Sequence, residues 1–388
     1  MKILVIAAGY KPAWIYGGPT YSISALSEAL VQYGMDVTVL TTNANGQHDF
    51  SYKNYTTNSI AGVNVIYCRR ITGDPTSVSF THSWALWKMI KQYDLVHING
   101  WWNWVAIASL FICKIRHVPH VLSLRGSLSE YTFRTAHTRR IKNILHSFLF
   151  KPFLKGTFIH VTSQEEMEKC KMMIPDAKYI SIPNIISMPD AQMGIKRKRD
   201  ELKIIFLGRI NPVKNLELLI NALRRVSFTY KLTIVGDGGP EYLAHIREMI
   251  SDMPGISILE SRYDEEKYDL LAHSDLLVLL SHTENFGNVV IEALSQGTAV
   301  LISKNVGAAD FVQQHHLGWV IQPDIESCME ALYKINIDQE ELDAIRERAP
   351  GIIDKEFSPQ TLVSRYLLEC YKPVNPKFGQ FEKVAADI

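Results

Sequence analysis

The chain has 388 residues, of which 47% are hydrophobic and 21% are charged, with 41 Lys and Arg against 40 Asp and Glu. This length exceeds what one core usually holds and favours two domains of roughly 100–200 residues each. The composition is that of a globular protein with a large apolar core, which excludes a disordered chain and a coiled coil.

The charge is distributed unevenly along the sequence. Residues 1–190 carry 19 Lys and Arg against 11 Asp and Glu, whereas the remainder carries 22 against 29. The first half is therefore basic and the second half acidic. Either the first half faces an anionic partner, such as a membrane surface or a phosphate-bearing acceptor, or the charges are scattered over a solvated surface.

Cysteine usage and the apolar start favour a cytoplasmic protein. The opening Lys2–Ala7 is too short for the apolar core of a signal peptide with its cleavage region, and no run reaches the 18 apolar residues of a membrane-spanning helix. Any membrane contact is expected to be peripheral. The cysteines are five in number and contain no C-x-x-C pair for zinc or redox chemistry; they are Cys68, Cys113, Cys170, Cys328 and Cys370.

In the first half, short apolar runs alternate with helical periodicity, which is typical of a parallel sheet covered by helices. A helix is predicted over Tyr21–Tyr33, because its apolar residues recur at helical spacing and Gly34 follows. Ser163 and Glu166 resemble a capping box and predict the start of another helix. The predicted strands are Lys2–Ala7, Asp36–Thr41, Asp94–Ile98, His120–Leu124, Thr157–Thr162 and Tyr179–Ile182.

The alternation breaks at about residue 187, and the charged run Lys196–Asp200 is typical of a linker. We predict a first domain over 1–186, a linker over 187–202, a second domain over 203–356 and a C-terminal helix with its tail over 357–388. In the second domain, strands are predicted at Lys203–Leu207, Lys231–Val235, Ile256–Leu259, Asp275–Leu280 and Ala299–Ser303, and helices at Leu216–Val226, Glu241–Ile250, Glu265–Ala272 and Gly287–Gln296.

The fold class is thus α/β, with two successive doubly wound domains. Open sheets of this kind bind ligands at the carboxyl ends of their strands. Two such edges that face each other would enclose a cleft.

The segment Ser281–Ala293 carries the densest chemical pattern. Glu284 and Glu292, separated by seven residues, would lie on a strand-to-helix loop and one to two turns into the following helix. Both carboxylates can then address a ligand at the helix start, where backbone N–H groups from Phe286 to Val289 would point at an anion. Two exposed carboxylates near a helix start are the plainer alternative.

This pattern resembles the E-x7-E motif of glycosyltransferase family 4, a group of retaining enzymes with the GT-B fold. Gly208-Arg209 followed by Lys214 is similar to the G-R-x-x-x-x-K segment of that family, and the resemblance covers nearly the whole chain. The other matching segments are Tyr16-Gly17-Gly18-Pro19, Ile182-Pro183-Asn184, the G-x-G loop Val235-Gly236-Asp237-Gly238, and Gln296-Gly297-Thr298-Ala299-Val300, in which Thr298 stands where the family usually has proline.

The resemblance implies two Rossmann-like domains facing each other across a cleft, with a helix at about Pro359–Tyr371 returning to the first domain. It implies transfer of a hexose, with retention, from a nucleotide-diphosphate sugar to a saccharide or a lipid-linked saccharide, and UDP is expected more than GDP. No D-x-D motif occurs, so no metal or other cofactor is expected. No nucleic-acid partner is expected either.

The resemblance, together with residue chemistry, also implies residue roles. Arg209 and Lys214 would hold the diphosphate and stabilise the departing nucleoside diphosphate. Glu284, which with Arg209 and Lys214 makes up the expected catalytic residues, would contact the donor sugar and stabilise oxocarbenium character. Glu292 would accept hydrogen bonds from the ribose. The other residues expected at the donor are Gly17, Gly18, Gly208, Gly236, Arg262, Tyr263, Asn285, Phe286, Gly287 and Asn288.

Acceptor residues are expected in the first half. Many family members place a histidine where this chain has Arg125, which is expected to bind an anion of the donor or acceptor. His97 at the end of a predicted strand, and Trp101 and Trp102 just after it, would line an acceptor pocket, although Trp is also a routine core residue. The basic and apolar stretch Arg139–Lys151 is typical of an interfacial helix, and equally of a helix packed on its own domain.

Other function classes fit the sequence less well. A dinucleotide-dependent oxidoreductase would need G-x-G-x-x-G after the first strand, a spacing that Gly9 with Gly17-Gly18 fails. A sugar-nucleotide epimerase of the same fold needs acid and base groups around the sugar, and similar phosphorylases are far longer and carry a pyridoxal-phosphate lysine. A non-catalytic sugar-nucleotide-binding module is the alternative from a different class.

Overall fold

A computed structural model describes residues 1–128, 150–191 and 200–381. Within these ranges the chain divides into two compact units. The first takes its residues from Met1–Ser187 and Phe357–Ile388, and the second from Met188–Glu356. The basic stretch Arg139–Lys151 and the charged run before Asp200 lie largely outside the described residues.

An eight-stranded sheet forms the middle of the first unit. Its strands are β1 (Lys2–Ile6), β2 (Asp36–Thr42), β3 (Thr56–Ile60), β4 (Val63–Cys68), β5 (Leu95–Asn99), β6 (His120–Ser123), β7 (Phe158–Val161) and β8 (Lys178–Ser181). Their order across the sheet is β3-β4-β2-β1-β5-β6-β7-β8. All neighbours are parallel except β3 and β4. The central strands are buried along nearly their whole length, as parallel strands covered on both faces require.

Among the residues that the structure describes, five α-helices of the first unit precede its last strand: α1 (Gly18–Gln32), α2 (Phe80–Met89), α3 (Trp104–Arg116), α4 (Lys151–Leu154) and α5 (Gln164–Met173). Local chemistry fixes where they begin. Pro19 lies in the first turn of α1, where its missing N–H is not needed. The Ser163 hydroxyl accepts a hydrogen bond from the Glu166 backbone N–H at 3.1 Å, which confirms the cap predicted for α5.

The antiparallel hairpin of β3 and β4 was not predicted from the sequence. Its turn passes through Ala61 and Gly62, whose φ angles are +48° and +80°. Hairpin turns with two positive φ angles usually carry Asn-Gly or Asp-Gly. With alanine at position 61, the sequence lacks the usual signal for this turn. The strands and helices that were predicted agree with the structure within a few residues.

The second unit contains a six-stranded, wholly parallel sheet. Its strands are β9 (Leu202–Leu207), β10 (Tyr230–Val235), β11 (Ile256–Leu259), β12 (Leu276–Leu279), β13 (Ala299–Ser303) and β14 (Gly318–Ile321). Its helices are α6 (Leu216–Leu223), α7 (Pro240–Met249), α8 (Asp264–Ala272), α9 (Asn288–Ser295), α10 (Ala309–Gln314), α11 (Ile325–Ile337) and α12 (Gln339–Phe357). The α/β class with two parallel-sheet, Rossmann-like units is confirmed.

The strand order of the second sheet reverses at β9. The order is β11-β10-β9-β12-β13-β14, so the chain first winds outward on one side of β9 and then returns to its other side. The loops that leave β9 and β12 consequently diverge at the carboxyl edge. A crevice at such a reversal is where open α/β sheets bind ligands.

The C-terminal segment packs within the first unit, as predicted. It consists of helix α13 (Pro359–Arg365) and a π-helical segment, Tyr366–Tyr371. Among the described residues, no helix is long and apolar enough to cross a bilayer.

A buried chain of hydrogen bonds joins this segment to the sheet. Tyr371 Oη lies 2.8 Å from His97 Nδ1, and His97 Nε2 lies 2.7 Å from Ser123 Oγ. Ser123 Oγ in turn lies 2.7 Å from His160 Nδ1, and His160 Nε2 lies 2.9 Å from the Ile182 carbonyl oxygen. A carbonyl oxygen only accepts, so with both imidazoles neutral every donor in the chain points from Tyr371 towards Ile182.

Both imidazoles are held neutral by their surroundings. Burial lowers the pKa of His160 to about 3, and the Arg125 charge acts in the same direction. Burial, followed by His160 and Arg125, lowers the pKa of His97 well below its ordinary value. The hydrogen-bonded chain therefore requires the neutral forms.

We expect the first unit to lose stability as the pH falls below about 6.5, the ordinary pKa of histidine in an unfolded chain. Below that pH, His97 and His160 become protonated in the unfolded chain but stay neutral in the folded one. Their contribution is thus complete above the unfolded pKa and is lost towards the lowered folded pKa. Each histidine contributes a slope of up to about 1.4 kcal/mol per pH unit.

Urea denaturation between neutral and mildly acidic pH measures this slope. His160→Asn should reduce it by about one histidine's share. His48→Gln, at an exposed position of the same unit, should leave it unchanged. A free energy of unfolding that does not fall with pH in the wild-type chain contradicts the prediction.

Candidate active site

Two loops at the strand-order reversal bring the predicted basic and acidic residues together. Lys214 ends the short 3-10 turn Pro212–Lys214 that follows β9, and Glu284 lies in the loop that follows β12. The His282 backbone N–H donates to the Val213 carbonyl at 2.9 Å and thereby joins the two loops. Lys214 Nζ contacts Glu284 Oε2, with side chains 16% and 21% exposed. Residues from two separate motifs thus form one ion pair.

The main chain around Glu284 is held from its other side by the loop after β13. The Glu284 N–H donates to the Asn305 carbonyl at 3.0 Å, and the Gly307 N–H donates to the Glu284 carbonyl at 2.9 Å. The ring of Phe286, which is buried, anchors the same loop in the core. The carboxylate of Glu284 is therefore carried by a fixed backbone.

Gly287 allows helix α9 to begin directly after this loop. Its φ is +87°, and a Cβ there would lie 2.8 Å from Val306 Cγ1. Asn288 is the first residue of α9, and the first turn contains no acidic side chain. The positive end of the helix dipole is thus not neutralised by a carboxylate of that turn, which suits an anionic ligand.

Glu292 is paired with a lysine that the sequence analysis missed. Lys267 Nζ, on α8, lies 3.0 Å from Glu292 Oε1, on α9, and the side chains are only 15% and 12% exposed. Lys267 belongs to no recognisable motif and lies 25 positions before its partner. Only the packing of α8 against α9 reveals the pair.

The glycines at the ends of β9 and β10 extend the close pairing of these strands into their loops. The Gly208 N–H donates to the Val235 carbonyl at 3.0 Å, and the Ile210 N–H donates to the Asp237 carbonyl at 2.8 Å. A Cβ on Gly236 would lie 1.9 Å from the Gly208 carbonyl oxygen. Only glycine fits there.

Arg209, which follows Gly208, is directed into solvent. Its side chain is exposed, and it forms no ion pair with any residue that the structure describes. The guanidinium is thus free to bind a ligand at the carboxyl edge of the sheet.

Arg262 and Tyr263 follow β11, at the same carboxyl edge. Two strand spacings separate β11 from β9, which is about 10 Å. Arg262 Nη1 lies 3.5 Å from Glu266 Oε2, and Tyr263 is exposed. Asn285, beside Glu284, is half-buried. Their expected contacts with the donor stay predictions.

Gly17 and Gly18 belong to the first unit, whereas the residues above belong to the second. Gly17 has a φ of +64° and immediately precedes α1, and Gly18 is the first residue of that helix. The positive φ explains why a glycine occupies position 17.

The structure corrects the expectation for His97 and Trp101. Both side chains are fully buried, His97 in the hydrogen-bonded chain to Tyr371 and Trp101 in the hydrophobic core, edge-on to Phe150. Neither presents a surface to an acceptor, because strand β5 and the turn after it point them inward. Trp102 is half-buried and donates from Nε1 to the Ser127 carbonyl at 2.8 Å, so its acceptor role stays a prediction.

Arg125 is hydrogen-bonded to protein oxygens, and its expected binding of a donor or acceptor anion stays a prediction. Its guanidinium donates to Asn99 Oδ1 at 3.0 and 3.1 Å, to Ser22 Oγ at 3.2 Å, and to Asn184 Oδ1. These partners come from β5, from α1 and from the segment after β8. Arg125 thus ties three segments of the first unit together, a role that was not expected from the sequence.

Two family models match the chain. The model described as Glycosyltransferase Family 4 matches residues 16–188, and the model described as Glycosyl transferases group 1 matches residues 190–351. The chain belongs to the group 1, family 4 glycosyltransferases. It is accordingly a transferase enzyme of glycan biosynthesis.

Relatives of this glycosyltransferase cover most of its length. An uncharacterized glycosyltransferase of Methanocaldococcus jannaschii is 25% identical, over 84% of this chain and 87% of its own. The GPI3 subunit of phosphatidylinositol N-acetylglucosaminyltransferase from Saccharomyces cerevisiae is also 25% identical, over 83% and 72%. The crystal structure of Anabaena HepE in complex with UDP and glucose has a TM-score of 0.69 at 18% identity, over 94% and 98%. The likeness to HepE shows that the GT-B fold is shared.

Gly236→Ala should destabilise the second unit by about 2–4 kcal/mol, because the new Cβ collides with the Gly208 carbonyl and the φ of +153° is strained for alanine. Gly239→Ala is the matched control, since its φ is −58° and open space surrounds the added methyl. Its effect should stay below about 1 kcal/mol. Thermal unfolding of both variants measures the difference, and equal melting temperatures contradict the prediction.

Proposed function

We propose that this glycosyltransferase moves a hexose from a nucleotide-diphosphate sugar, with UDP as the nucleotide, to a saccharide or lipid-linked saccharide with retention of configuration. The observation that carries the proposal is the contact between Lys214 and Glu284 at the strand-order reversal. A nucleotide-sugar combines an anionic diphosphate with an electron-poor anomeric carbon. A cation beside a carboxylate in a sheltered crevice complements both parts.

Lys214 and Arg209 bind the diphosphate in this proposal. Lys214 supplies a point charge, and the exposed Arg209 supplies a planar fork that matches two phosphate oxygens. Negative charge accumulates on the departing nucleoside diphosphate as the glycosidic bond breaks. Two cations stabilise that charge, so we propose a reaction without a metal cofactor.

Glu284 faces the reacting sugar. Its carboxylate stabilises the positive charge that develops at the anomeric carbon, and in the free enzyme the same carboxylate is neutralised by Lys214. The acceptor oxygen forms its bond to that carbon on the face from which the phosphate oxygen departs. The acceptor proton passes to this phosphate oxygen, and no separate general base is needed.

Glu292 holds the ribose, and Lys267 is a positioning residue for it. The ion pair fixes one carboxylate oxygen at 3.0 Å from Lys267 Nζ and leaves the other for the ribose hydroxyls. The solved HepE complexes with UDP support UDP as the nucleotide. The yeast relative, named for phosphatidylinositol, supports a lipid-linked acceptor. All five cysteines are free and buried, which supports a cytoplasmic location.

Donor turnover tests the proposal. Each of a panel of UDP- and GDP-sugars is incubated with the enzyme, and release of nucleoside diphosphate is measured. Lys214→Met and Glu284→Gln should each lower the rate by on the order of 10²–10³-fold, because each removes charge stabilisation from the transition state. Lys231→Met, an exposed lysine on β10, is the matched control and should turn over normally.

Unchanged turnover in both site variants contradicts the proposed mechanism. Donor binding without release from any sugar, with or without added acceptors, would instead identify a non-catalytic binding module. Activity that disappears with a chelator and returns with a divalent cation contradicts the metal-free reaction.

Lys267→Met should raise the donor KM about tenfold and change kcat little, because it releases a carboxylate that binds ribose equally in the ground state and the transition state. Glu292→Gln should act in the same way, and the double variant should cost less than the two single effects combined. Lys304→Met, another exposed lysine, is the control. A fall in kcat with an unchanged KM contradicts the ribose role.

A further inference from the structure

Two neighbouring helices of the first unit, α2 and α3, expose a set of large apolar side chains. They recur at helical spacing along one side of each helix and are between 37% and 61% exposed. We call this set the aromatic face; its residues are Phe80, Trp84 and Trp87 on α2 and Trp104, Phe111 and Ile115 on α3.

Direct contacts show that the two helices contribute to one surface. The ring of Phe80 meets the ring of Trp104 edge-on, with centroids 5.6 Å apart. At the other end of the helices, the guanidinium of Arg116 lies 4.6 Å above the ring of Trp87. The helices therefore run side by side in the same direction. Single exposed apolar residues are ordinary, but a contiguous group of this size marks an interaction surface.

The charge around the aromatic face is one-sided. Residues 75–128 contain one acidic residue, Asp94, against five Lys and Arg. Asp94 is already engaged, because its Oδ2 accepts from the Lys2 backbone N–H at 2.8 Å and its Oδ1 lies 3.5 Å from Lys377 Nζ. The basic residues on α2, on α3 and in the 3-10 turn between them are Lys88, Lys91, Lys114 and Arg116, of which Lys114 is engaged with the Phe153 carbonyl oxygen. The partner is therefore expected to be anionic as well as apolar.

The cations that lie over the rings favour a bilayer surface over a saccharide as the partner. Lys88 Nζ lies 3.9 Å above the ring of Trp84, and Arg116 covers one face of Trp87. A saccharide would need ring faces for stacking, and these are partly taken by cations. A bilayer surface instead accepts the edges of such rings between its headgroups, while the cations reach the phosphates.

We propose that the aromatic face docks on an anionic phospholipid bilayer. The rings of α2 and α3 enter the headgroup region, and Lys88, Lys91 and Arg116 contact lipid phosphates. The inference uses no residue of the second unit, so it stands independently of the donor chemistry.

Vesicle flotation of the full chain tests the inference. At low salt the protein should float with vesicles of phosphatidylcholine mixed with phosphatidylglycerol, and much less with phosphatidylcholine alone. Lys88→Gln combined with Lys91→Gln should weaken binding about fivefold for each charge removed. Trp84→Ser combined with Trp87→Ser should reduce the blue shift of tryptophan fluorescence that the wild type shows on binding, because only Trp104 of the face remains, and should weaken flotation.

Met172→Ser is the matched control, because Met172 is an apolar residue of the same unit that is 78% exposed on α5. It should float like the wild type. Circular dichroism and unchanged release of nucleoside diphosphate from the donor show that each variant is folded. No flotation of the wild type with anionic vesicles at low salt overturns the inference. A dimer that disappears in the tryptophan variant, without vesicle binding, also overturns it and assigns the face to a second copy of the chain.

Discussion

The backbone hydrogen bond from His282 to Val213 joins two loops that are far apart in the sequence, and the arrangement of charges in the second unit depends on it. The strand order makes β9 and β12 neighbours, so their loops start side by side although they diverge at the reversal. The hydrogen bond sets their separation, so that Lys214 meets Glu284. A free ammonium and a free carboxylate on independent loops would each be solvated. Because the loops are joined, the two opposite charges stay together, and both can interact with a ligand that carries an anionic and a cationic centre.

The second constraint is the close approach of main chains. Position 236 requires glycine because the ends of β9 and β10 stay paired where the strands pass into their loops. Position 287 requires glycine because the loop after β12 lies against Val306. In both places the missing side chain brings backbone and helix start close to the space above the sheet. The motif glycines are thus explained by packing within the unit, before any ligand is considered.

Much of this could be predicted from the sequence, because parallel strands and their flanking helices leave strong local patterns. The apolar runs predict most strands of the two sheets. The motifs at strand ends predict the helix after Gly287 and single out Lys214 and Glu284. The missed features depend on long-range contact or on weak turns. Lys267 gains its partner only through helix packing, the hairpin at Ala61 lacks the usual turn residues, and Arg125 meets its oxygens from three separate segments. Trp101 and His97 were misassigned because a polar or aromatic residue after a strand can point either way, and here both point inward.

The directed hydrogen bonds from Tyr371 to Ile182 have a consequence for biosynthesis. His97, Ser123 and His160 are made early. Tyr371 and Tyr366, whose Oη lies 3.2 Å from His160 Nε2, leave the ribosome only after the entire second unit. Domains generally fold as they emerge, first the N-terminal one. Here the first unit must wait with its buried imidazoles lacking their tyrosine partners while its neighbour is translated. The first unit is therefore complete only when residues translated after the second unit have joined it.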